Sequence, residues 1–438
     1  MESLTLYILT YNCARNPVDV DRFAYHFFDA LSLADNSSAS TPPDFIVLSL
    51  QEIAPIAYAF LGGSFLAPYF ASFTQVVQRA VSQRWDTHYV NIVTDNSGMT
   101  GLMVYGRSDV AERISSIDTA RVGFGFQQMG NKGAVGARLA YATQNTPDDT
   151  VDLTFVAAHL APTEYAIQRR NEDWRNMVER LVFDRVTSRN GETMEIGDGS
   201  ERTALLHGST RRAGDDCRGI FIPTSYLFLA GDLNYRTANA SPRQEDCARF
   251  PQSEVDSANP RHFSHLLKED QLAREMRHSR SFQGLSEAPI NFPPTYKYTN
   301  AARQAAACEE WLWASTRWPS WCDRVLYLET LPGLGENARV RPLKYNALPL
   351  FPTSDHRAVA LSVSVPALPV RPADATPPAI PFRIDPEWER KRNAARRKEL
   401  VVGCLAYLGW TWEGNGLLLA SVVGVLGAWL VLRSLFNA

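Results

Sequence analysis

Short apolar runs recur along the first 365 residues of the chain and alternate with amphipathic or polar stretches. These runs are rich in Val, Ile, Leu, Phe and Tyr and are too short for helices, so they predict buried β-strands. The predicted strands are 4–11, 44–50, 100–105, 133–141, 151–159, 226–232, 323–329 and 357–365. The first of them lacks the basic region and cleavage site of a signal peptide, so it too is expected to be a strand.

Amphipathic stretches between some of these strands predict helices that cover the sheets. In residues 163–187 the apolar side chains follow the spacing of one helix face, at Trp174, Met177, Val178, Leu181 and Val182. Residues 18–33 and 68–84 have a similar pattern. Strands and helices mixed in this way favour an α/β fold, with one sheet or two packed sheets and helices outside. The polar, Gly-rich residues 188–220 predict a mobile insertion.

The pattern changes after residue 365, where the main domain, residues 1–365, is expected to end. Residues 366–387 are rich in proline and predict a stiff, extended linker. The strongly basic residues 388–399 follow, and then two apolar runs at 400–412 and 416–432. We therefore predict a linker, a basic juxtamembrane segment and a membrane anchor over residues 400–438.

The second apolar run is the predicted transmembrane span. Its roughly 17 residues would form a helix about 26 Å long, which suits a thin bilayer such as that of the endoplasmic reticulum. The basic segment before it favours a cytosolic main domain. Two alternatives remain open, a hairpin that uses both apolar runs and a core helix at the end of a soluble domain.

Composition narrows the classes of function and of compartment. The chain has 438 residues and a formal net charge of −3, so there is no general attraction for nucleic acid. Its 6 cysteines show neither CxxC nor Cys/His metal spacing. They are therefore expected to be free thiols in a reducing compartment.

Polar residues stand at the ends of the predicted strands. Some follow an apolar run, and others directly precede one. The first group is Asn12, Glu52, His159, Asp232 and Asn234, and the second is Asp323, Asp355 and His356. If the strands of the two groups run in opposite directions, all these side chains meet at one rim of a sheet sandwich.

This set of residue types supports metal-assisted hydrolysis of a phosphate ester. Glu52 is a hard oxygen ligand of the kind Mg²⁺ prefers, and a second carboxylate can orient or deprotonate water for in-line attack. The sequence contains no Ser-His-Asp elbow, Cys-x5-Arg phosphatase loop or Walker A motif. That argues against a covalent intermediate and against a nucleotide-driven motor.

The motifs around these residues resemble those of the inositol polyphosphate 5-phosphatases. In order they are TYNCARNP (10–17), LQEIAP (50–55), GNKGAVGARL (130–139), AAHLAPTE (157–164), AGDLNYR (230–236), PPTYKY (293–298), RWPSWCDRVLY (317–327) and SDHRAV (354–359). The resemblance covers residues 4–365 and implies a DNase I-like four-layer α/β sandwich of the endonuclease/exonuclease/phosphatase superfamily. With its C-terminal transmembrane helix, the chain is similar to tail-anchored fungal members of the family.

The resemblance also implies a role for each matched residue. Asn12 and Glu52 would hold Mg²⁺, Asp232 would activate water, and Asn234 would position water or phosphate. Asp323 would orient His356, His159 and His356 would stabilise the phosphoryl group, and Asp355 would support the metal side. The implied substrate-binding residues are Asn131, Lys132, Tyr296, Lys297 and Arg317, of which Tyr296 and Lys297 lie in the segment that binds the 4-phosphate. Arg324 would be a structural partner at the rim, whereas Arg357 departs from the family pattern and could contact phosphate or face solvent.

The leading hypothesis is hydrolysis of the 5-phosphate of phosphatidylinositol 4,5-bisphosphate, which leaves the 4-phosphate lipid. The expected partners are that lipid and a membrane, reached through the anchor in the endoplasmic reticulum, with no nucleic acid and a monomeric chain. Alternatives are a nuclease or sphingomyelinase on the same fold, a 5-phosphatase of soluble inositol phosphates, and a membrane tether without catalysis.

Overall fold

Two β-sheets lie at the centre of the computed structural model, which describes residues 3–31, 41–143, 150–185, 218–253, 255–304, 311–331, 338–369 and 380–436. The first is a 6-stranded sheet with the order β12-β13-β1-β2-β4-β3. Its strands are β1 (Ser3–Asn12), β2 (Phe45–Gln51), β3 (Tyr89–Ser97), β4 (Thr100–Arg107), β12 (Arg341–Leu350) and β13 (Arg357–Pro366).

The second is a 7-stranded sheet with the order β10-β11-β9-β7-β6-β5-β8. Its strands are β5 (Ile114–Gly123), β6 (Gly133–Ala142), β7 (Thr150–His159), β8 (Asp184–Arg185), β9 (Ser225–Asp232), β10 (Leu285–Glu287) and β11 (Asp323–Leu328). Alternate residues of the central strands of both sheets form one buried core between the sheets, with Ile8, Val47, Phe155 and Phe228 among its members.

Helices cover the outer face of each sheet, which gives four layers. On the first sheet lie α1 (Val20–His26), α2 (Ile56–Leu61) and α3 (Ala67–Ser82), whereas Val110 of the short α4 (Ser108–Ala111) packs in the core between the sheets. On the second lie α5 (Ile167–Arg180) and α7 (Gln271–Arg277), and the connecting segments contain α6 (Phe263–Leu267) and α8 (Asn300–Gln304).

Each predicted strand is present, with ends within two residues of those expected. The strands that the apolar pattern missed include β3, β5 and β12, which carry many exposed or half-buried residues. Two of the predicted helices are shorter than expected. In residues 163–187, α5 ends at Arg180, and Leu181 to Phe183 are buried in non-helical backbone. In residues 18–33, α1 ends at His26 and turns follow it. Residues 188–217 of the predicted insertion 188–220 lie outside the described residues.

Two long helices follow the main domain. α9 (Trp388–Trp410) runs without a break across the predicted boundary between the basic segment and the anchor, and it packs against α2. α10 (Trp412–Phe436) has a mean hydropathy of 2.0, its most apolar stretch is fully exposed, and it is long enough to cross a membrane. It contains the predicted span 416–432. Residues 370–379 of the predicted linker lie outside the described residues.

Candidate active site

Three polar side chains on neighbouring strands, those of His159, Asp232 and Asp323, form the centre of the site and are called the row below. His159 on β7 is paired with Asp232 on β9, and Asp232 is paired with Asp323 on β11. Side chains paired across adjacent strands project from the same face of a sheet. This is the face on which Phe228 and Ala230 lie in the core between the sheets. The row therefore continues that core to its rim, where polar groups replace the apolar ones.

A glycine permits the close approach of two of these strands beside the row. A Cβ atom at Gly231 would lie 2.0 Å from the carbonyl oxygen of Ala158 on β7, much closer than real Cβ atoms come. Any side chain at this position would push β7 and β9 apart. The Gly in the sequence AGDLNYR is therefore a requirement of the backbone next to Asp232.

The first sheet brings its own polar groups to the same rim. Asn12 ends β1, and its Nδ2 donates a hydrogen bond to Asp232 Oδ2 (2.9 Å). Glu52 follows β2 with φ at 46°, a left-handed conformation that is uncommon for a residue with a side chain. His356 directly precedes β13. The strand ends of both sheets thus converge at one rim of the sandwich, which is called the mouth below.

Asp323 and His356 form a buried pair. His356 Nδ1 lies 2.9 Å from Asp323 Oδ2, and the Thr295 hydroxyl donates to the same oxygen (2.7 Å). The other ring nitrogen of His356, Nε2, faces Asp232 Oδ2 at 3.9 Å. Burial lowers the pKa of His356, but Asp323 and Asp232 outweigh it and raise that pKa to about 9. His356 is therefore protonated at neutral pH.

Asp232 is the shared acceptor of the site. Besides Asn12, it is faced by His159 Nε2 at 3.3 Å, and its Oδ1 accepts from the backbone N–H of Asn234 (3.1 Å). Burial raises the pKa of Asp232, but His356 and His159 lower it more, so the carboxyl stays ionised well below its usual range. Asn234 has φ at 57°, and its Nδ2 donates to Leu160.

Lys132 joins the two sheets at the mouth. Its Nζ lies 3.4 Å from Glu52 Oε1 and 2.7 Å from His159 Nε2. An ammonium group only donates, so Nε2 accepts from Lys132 when it carries no proton and donates to Asp232 when it carries one. Burial and Lys132 lower the pKa of His159, which favours the neutral form. Burial raises the pKa of Glu52, but His159, Lys132 and Arg15 reverse this and leave the pKa below its usual value.

The PPTYKY segment lies on the other side of His356. The ring of Tyr296 is 4.4 Å from that of His356, and the guanidinium of Arg236 lies over Tyr296 at 4.6 Å. Lys297 Nζ lies 2.5 Å from Asp355 Oδ2. Burial lowers the pKa of Lys297, but Asp355 raises it more, so Lys297 is a fixed cation next to the row.

Two of the sequence-predicted residues lie against other parts of the chain. The guanidinium of Arg317 donates to the carbonyl of the preceding residue, Thr316 (2.9 Å). Asn131 precedes Lys132, but its Oδ1 lies against the backbone of Gly125, where a Cβ would come within 1.9 Å of it. Among the described residues, neither forms a hydrogen bond or an ion pair with the row or with Lys297.

Several residues at the mouth were not predicted from the sequence. Arg15 pairs with Glu52 (3.2 Å), Thr295 binds Asp323, and the buried Arg236 donates to Asn234 Oδ1 (2.5 Å). Each of these residues lies within or beside one of the motifs named above, and that position is the feature of the sequence that could have identified it.

Arg324, expected to be a structural partner, and Arg357, expected to contact phosphate or face solvent, are both largely buried. Arg324 pairs with Asp270 (3.1 Å) and Glu287 (2.5 Å), as a structural partner would. Arg357 packs over the ring of Tyr298 (5.1 Å) and does not face solvent.

The chain matches known proteins over most of its length. The model of Endonuclease/Exonuclease/phosphatase family 2 matches residues 9–362. Type I inositol polyphosphate 5-phosphatase 13 of Arabidopsis thaliana is 27% identical over 305 residues, which are 67% of this chain and 25% of that protein. Polyphosphatidylinositol phosphatase INP53 of Saccharomyces cerevisiae is 26% identical over 322 residues, 72% of this chain and 23% of that protein. The chain thus spans about a quarter of the length of these curated relatives.

A solved structure shares the fold. It is the crystal structure of the inositol polyphosphate 5-phosphatase domain of SPsynaptojanin in complex with inositol (1,4)-bisphosphate and calcium ion. The TM-score is 0.58 at 21% identity, and the match covers 91% of this chain and 92% of that one. Since the family model spans both sheets and every strand of the row, the chain belongs to endonuclease/exonuclease/phosphatase family 2, and its relatives there are the inositol polyphosphate 5-phosphatases.

Proposed function

We propose that this chain is a Mg²⁺-dependent phosphatase that removes the 5-phosphate of phosphatidylinositol 4,5-bisphosphate by direct attack of water and leaves phosphatidylinositol 4-phosphate. The names of its relatives support the class of reaction, since they include inositol polyphosphate 5-phosphatase and polyphosphatidylinositol phosphatase. The observation that carries the proposal is the convergence of His159, Asp232 and Asp323 with Glu52 and His356 at one mouth.

The oxygen donors at the mouth fit a hard divalent cation. The pKa values of Glu52 and Asp232 are lowered, which favours their ionised forms, and Asn12 donates to Asp232 through Nδ2 while its Oδ1 accepts from Ala14 N–H (3.0 Å). Carboxylate and amide oxygens are the ligands that Mg²⁺ prefers, so Glu52 and Asn12 would hold the ion. When bound, the metal would polarise the phosphoryl oxygen and offset the charge that develops on it.

Asp232 would orient the attacking water. Its low pKa makes it a weak base, so its main contribution is to hold the water by a charge-assisted hydrogen bond in line with the phosphorus. Asn234 is attached to the same carboxylate through its backbone and would position water or phosphate. This arrangement requires no protein nucleophile.

The two histidines would bind the phosphoryl oxygens in different protonation states. His356 is protonated because Asp323 and Asp232 raise its pKa, so it would donate a charge-assisted hydrogen bond. His159 would be neutral, with Lys132 supplying positive charge beside it. Asp355 would act indirectly by fixing Lys297.

The cation on the far side of His356 supports a substrate with adjacent phosphates. Lys297 and Tyr296 would bind the 4-phosphate while the 5-phosphate lies at the row, since Tyr296 stacks beside His356. α10 supports a membrane lipid as substrate, and the endoplasmic reticulum is the proposed location of the anchor.

The test is phosphate release by the full chain in detergent from a small panel, each with Mg²⁺ or with EDTA. The panel contains the 4,5-bisphosphate and 3,4,5-trisphosphate lipids, inositol 1,4,5-trisphosphate and duplex DNA. We expect Mg²⁺-dependent release from the 4,5-bisphosphate lipid, with the 4-phosphate lipid as product. DNA cleavage without phosphate release from any inositol compound would overturn the proposal.

A further inference from the structure

We propose that α9 lies on the bilayer that α10 crosses and holds the active site over that bilayer, so that the enzyme acts on lipids of its own membrane and not on lipids of a facing one. The inference rests on the proposed function for its substrate. It concerns where the substrate is reached, which the proposed function leaves open.

One face of α9 is bound to the main domain by specific contacts. Glu399 is buried, and its carboxylate accepts a hydrogen bond from the backbone N–H of Gly130 (2.8 Å) and pairs with Arg396 (3.1 Å). Arg396 also donates to the carbonyls of Phe60 (2.7 Å) and Leu61 (3.0 Å) at the end of α2. These bonds satisfy carbonyls that the end of a helix leaves without partners.

Small residues let α9 approach α2 closely. Ala395, Gly403 and Ala406 are buried and recur at helical spacing on the docked face. A Cβ atom at Gly403 would lie 3.0 Å from Phe60 Cβ and 3.2 Å from the backbone nitrogen of Leu61. A large side chain at residue 403 would therefore push the two helices apart.

The docked segments lead directly to the active site. α2 begins four residues after Glu52, and Gly130 is two residues before Lys132. Glu399 and Gly403 thus hold α9 against the stretches of chain that carry these two mouth residues. α9 cannot leave the domain without losing contacts beside the site.

The joint between α9 and α10 contains no free linker. Thr411 alone leaves the helical conformation, and its N–H and hydroxyl both donate to the carbonyl of Tyr407 (3.3 and 2.6 Å). Gly414 N–H donates to the Thr411 hydroxyl (3.0 Å), and a Cβ at Gly414 would lie 1.9 Å from the Tyr407 oxygen. From Gly403 to this joint is about 12 Å along the helix.

The outward face of α9 carries apolar side chains near α10 and basic side chains farther from it. In its C-terminal half Val401 and Leu405, one helical turn apart, are 60% and 66% exposed, and Trp410 at the end of the helix is 79% exposed. In its N-terminal half Arg397 and Lys398 are exposed. Apolar side chains near a span and basic ones farther from it suit the acyl boundary and the anionic headgroups of one bilayer surface.

The proline-rich segment gives the main domain no reach beyond this arrangement. It precedes α9, and α9 returns the chain to the domain. At its end, Asp385 N–H donates to the carbonyl of Glu179 (2.9 Å) on α5, and Lys391 on α9 pairs with Asp385 (2.7 Å). The distance between the active site and the bilayer is therefore set by α9.

The test compares two vesicle arrangements with the full chain reconstituted through α10. The 4,5-bisphosphate lipid is placed either in the protein-bearing vesicles or in protein-free vesicles tethered to them. Turnover of inositol 1,4,5-trisphosphate is measured in both as a normaliser. We expect at least tenfold faster lipid turnover in the same vesicle. Equal turnover in both arrangements would overturn the inference.

Two variants separate positioning from general damage. A ten-residue Gly/Ser insertion between Trp410 and Thr411 should reduce same-vesicle turnover and increase turnover in tethered vesicles, so that the ratio falls at least fivefold. The same insertion between Ala373 and Asp374, before α9, is the matched control and should leave the ratio unchanged. An equal ratio for both insertions would contradict the inference.

Gly403→Leu should also lower the ratio, whereas Ala394→Leu on the exposed face should not. Glu399→Gln, which keeps an acceptor for Gly130, should retain more of the ratio than Glu399→Ala. Equal loss of lipid and soluble turnover would show that α9 only supports the fold and would count against the inference. If the unmodified chain turned over no inositol substrate, that result would instead refute the proposed function.

Discussion

At the scale of single residues, the site is organised around one ionised carboxylate. Asp232 accepts a hydrogen bond from Asn12 on the first sheet and lies beside His159 on the second. His356, just before β13, faces the same carboxylate. The surrounding donors keep the carboxyl ionised although it is buried. Its charge and its position are therefore produced by residues distant in sequence.

Asp232→Asn should reduce Mg²⁺-dependent phosphate release by at least a thousandfold, because a neutral amide cannot hold the water with the strength of a carboxylate. Circular dichroism should show an intact fold, since Asn has nearly the same shape. Asp86→Asn, at an exposed position, is the control. Turnover within tenfold of the unmodified chain would refute the role of Asp232.

Asp323→Asn should move the basic limb of the pH profile toward neutral pH. Among the groups that raise the pKa of His356 to about 9, Asp323 has the largest effect. Without its charge, the lowering effect of burial is less opposed, and that pKa falls. If protonated His356 binds the phosphoryl group, activity falls as pH rises through this pKa. An unchanged basic limb in kcat/KM would contradict the assignment.

Lys297→Ala should raise KM for the 4,5-bisphosphate at least tenfold and have little effect on a substrate that lacks the 4-phosphate. The reason is that Lys297 is a fixed cation beside the row, held by Asp355. Steady-state kinetics with both substrates provide the comparison. A similar change in KM for both would remove Lys297 from the 4-phosphate site.

At the scale of elements, the apolar pattern was sufficient for the central strands and insufficient for the periphery. β7 and β9 are buried along nearly their whole length, so their sequences are continuous apolar runs. β3 and β12 lie at edges of the first sheet, and β12 contains two prolines and bulges, which edge positions tolerate. Such strands carry little apolar signal.

The candidate site was predictable to a similar degree, because its main residues stand at the ends of those central strands. The partners of the main residues were not predictable from pattern. Thr295 lies in a loop, and Arg15 has φ at 65° in a turn, so no periodicity marks either of them. Their roles depend on contacts between segments far apart in the chain.

Asp173 on α5 illustrates how one helix supports the site at a cost in stability. Its Oδ2 accepts from Ala161 N–H (2.9 Å) and so fixes the loop after His159. Burial, opposed by Arg169, raises the pKa of its carboxyl to about 7. A raised pKa favours the protonated form in the folded state, so the folded state loses stability as pH rises from about 4 to about 7.

Asp173→Asn should therefore stabilise the protein at neutral pH by on the order of 2 kcal/mol, because the amide oxygen still accepts from Ala161 and carries no charge. The difference should be small near pH 4, grow up to pH 7 and then remain constant. Urea unfolding of the two proteins across this range would measure it. A difference that is constant or decreases with pH would refute the interpretation.

At the scale of the whole molecule, the family fold is confirmed by the match to residues 9–362 and by the shared structure of the 5-phosphatase domain. The tail differs from expectation in one respect, since the sequence predicted an anchor separated from the domain and α9 is docked on it. The reason is that small buried residues recur at helical spacing along α9, a pattern weaker than the apolar run that overlaps it.

The docking of α9 changes where the anchor is best removed. A chain that ends at Trp410 should leave the membrane fraction and retain soluble-substrate turnover within twofold, because the contacts of Glu399 and Gly403 remain. A chain that ends at Glu399 should leave the membrane but unfold at a lower temperature, because Phe60 loses its cover. Fractionation and thermal unfolding of both chains provide the measurement. Equal melting temperatures would contradict the expectation.

The pairing of His159, Asp232 and Asp323 across three strands also constrains how the gene can change. Alternate residues of a strand project to opposite faces, so the loss of a single codon within β9 would turn Asp232 away from its two neighbours. The whole constellation would fail in one step instead of weakening gradually. Length variation among homologous genes should therefore be confined to the segments between strands, and these three strands should keep the same number of codons.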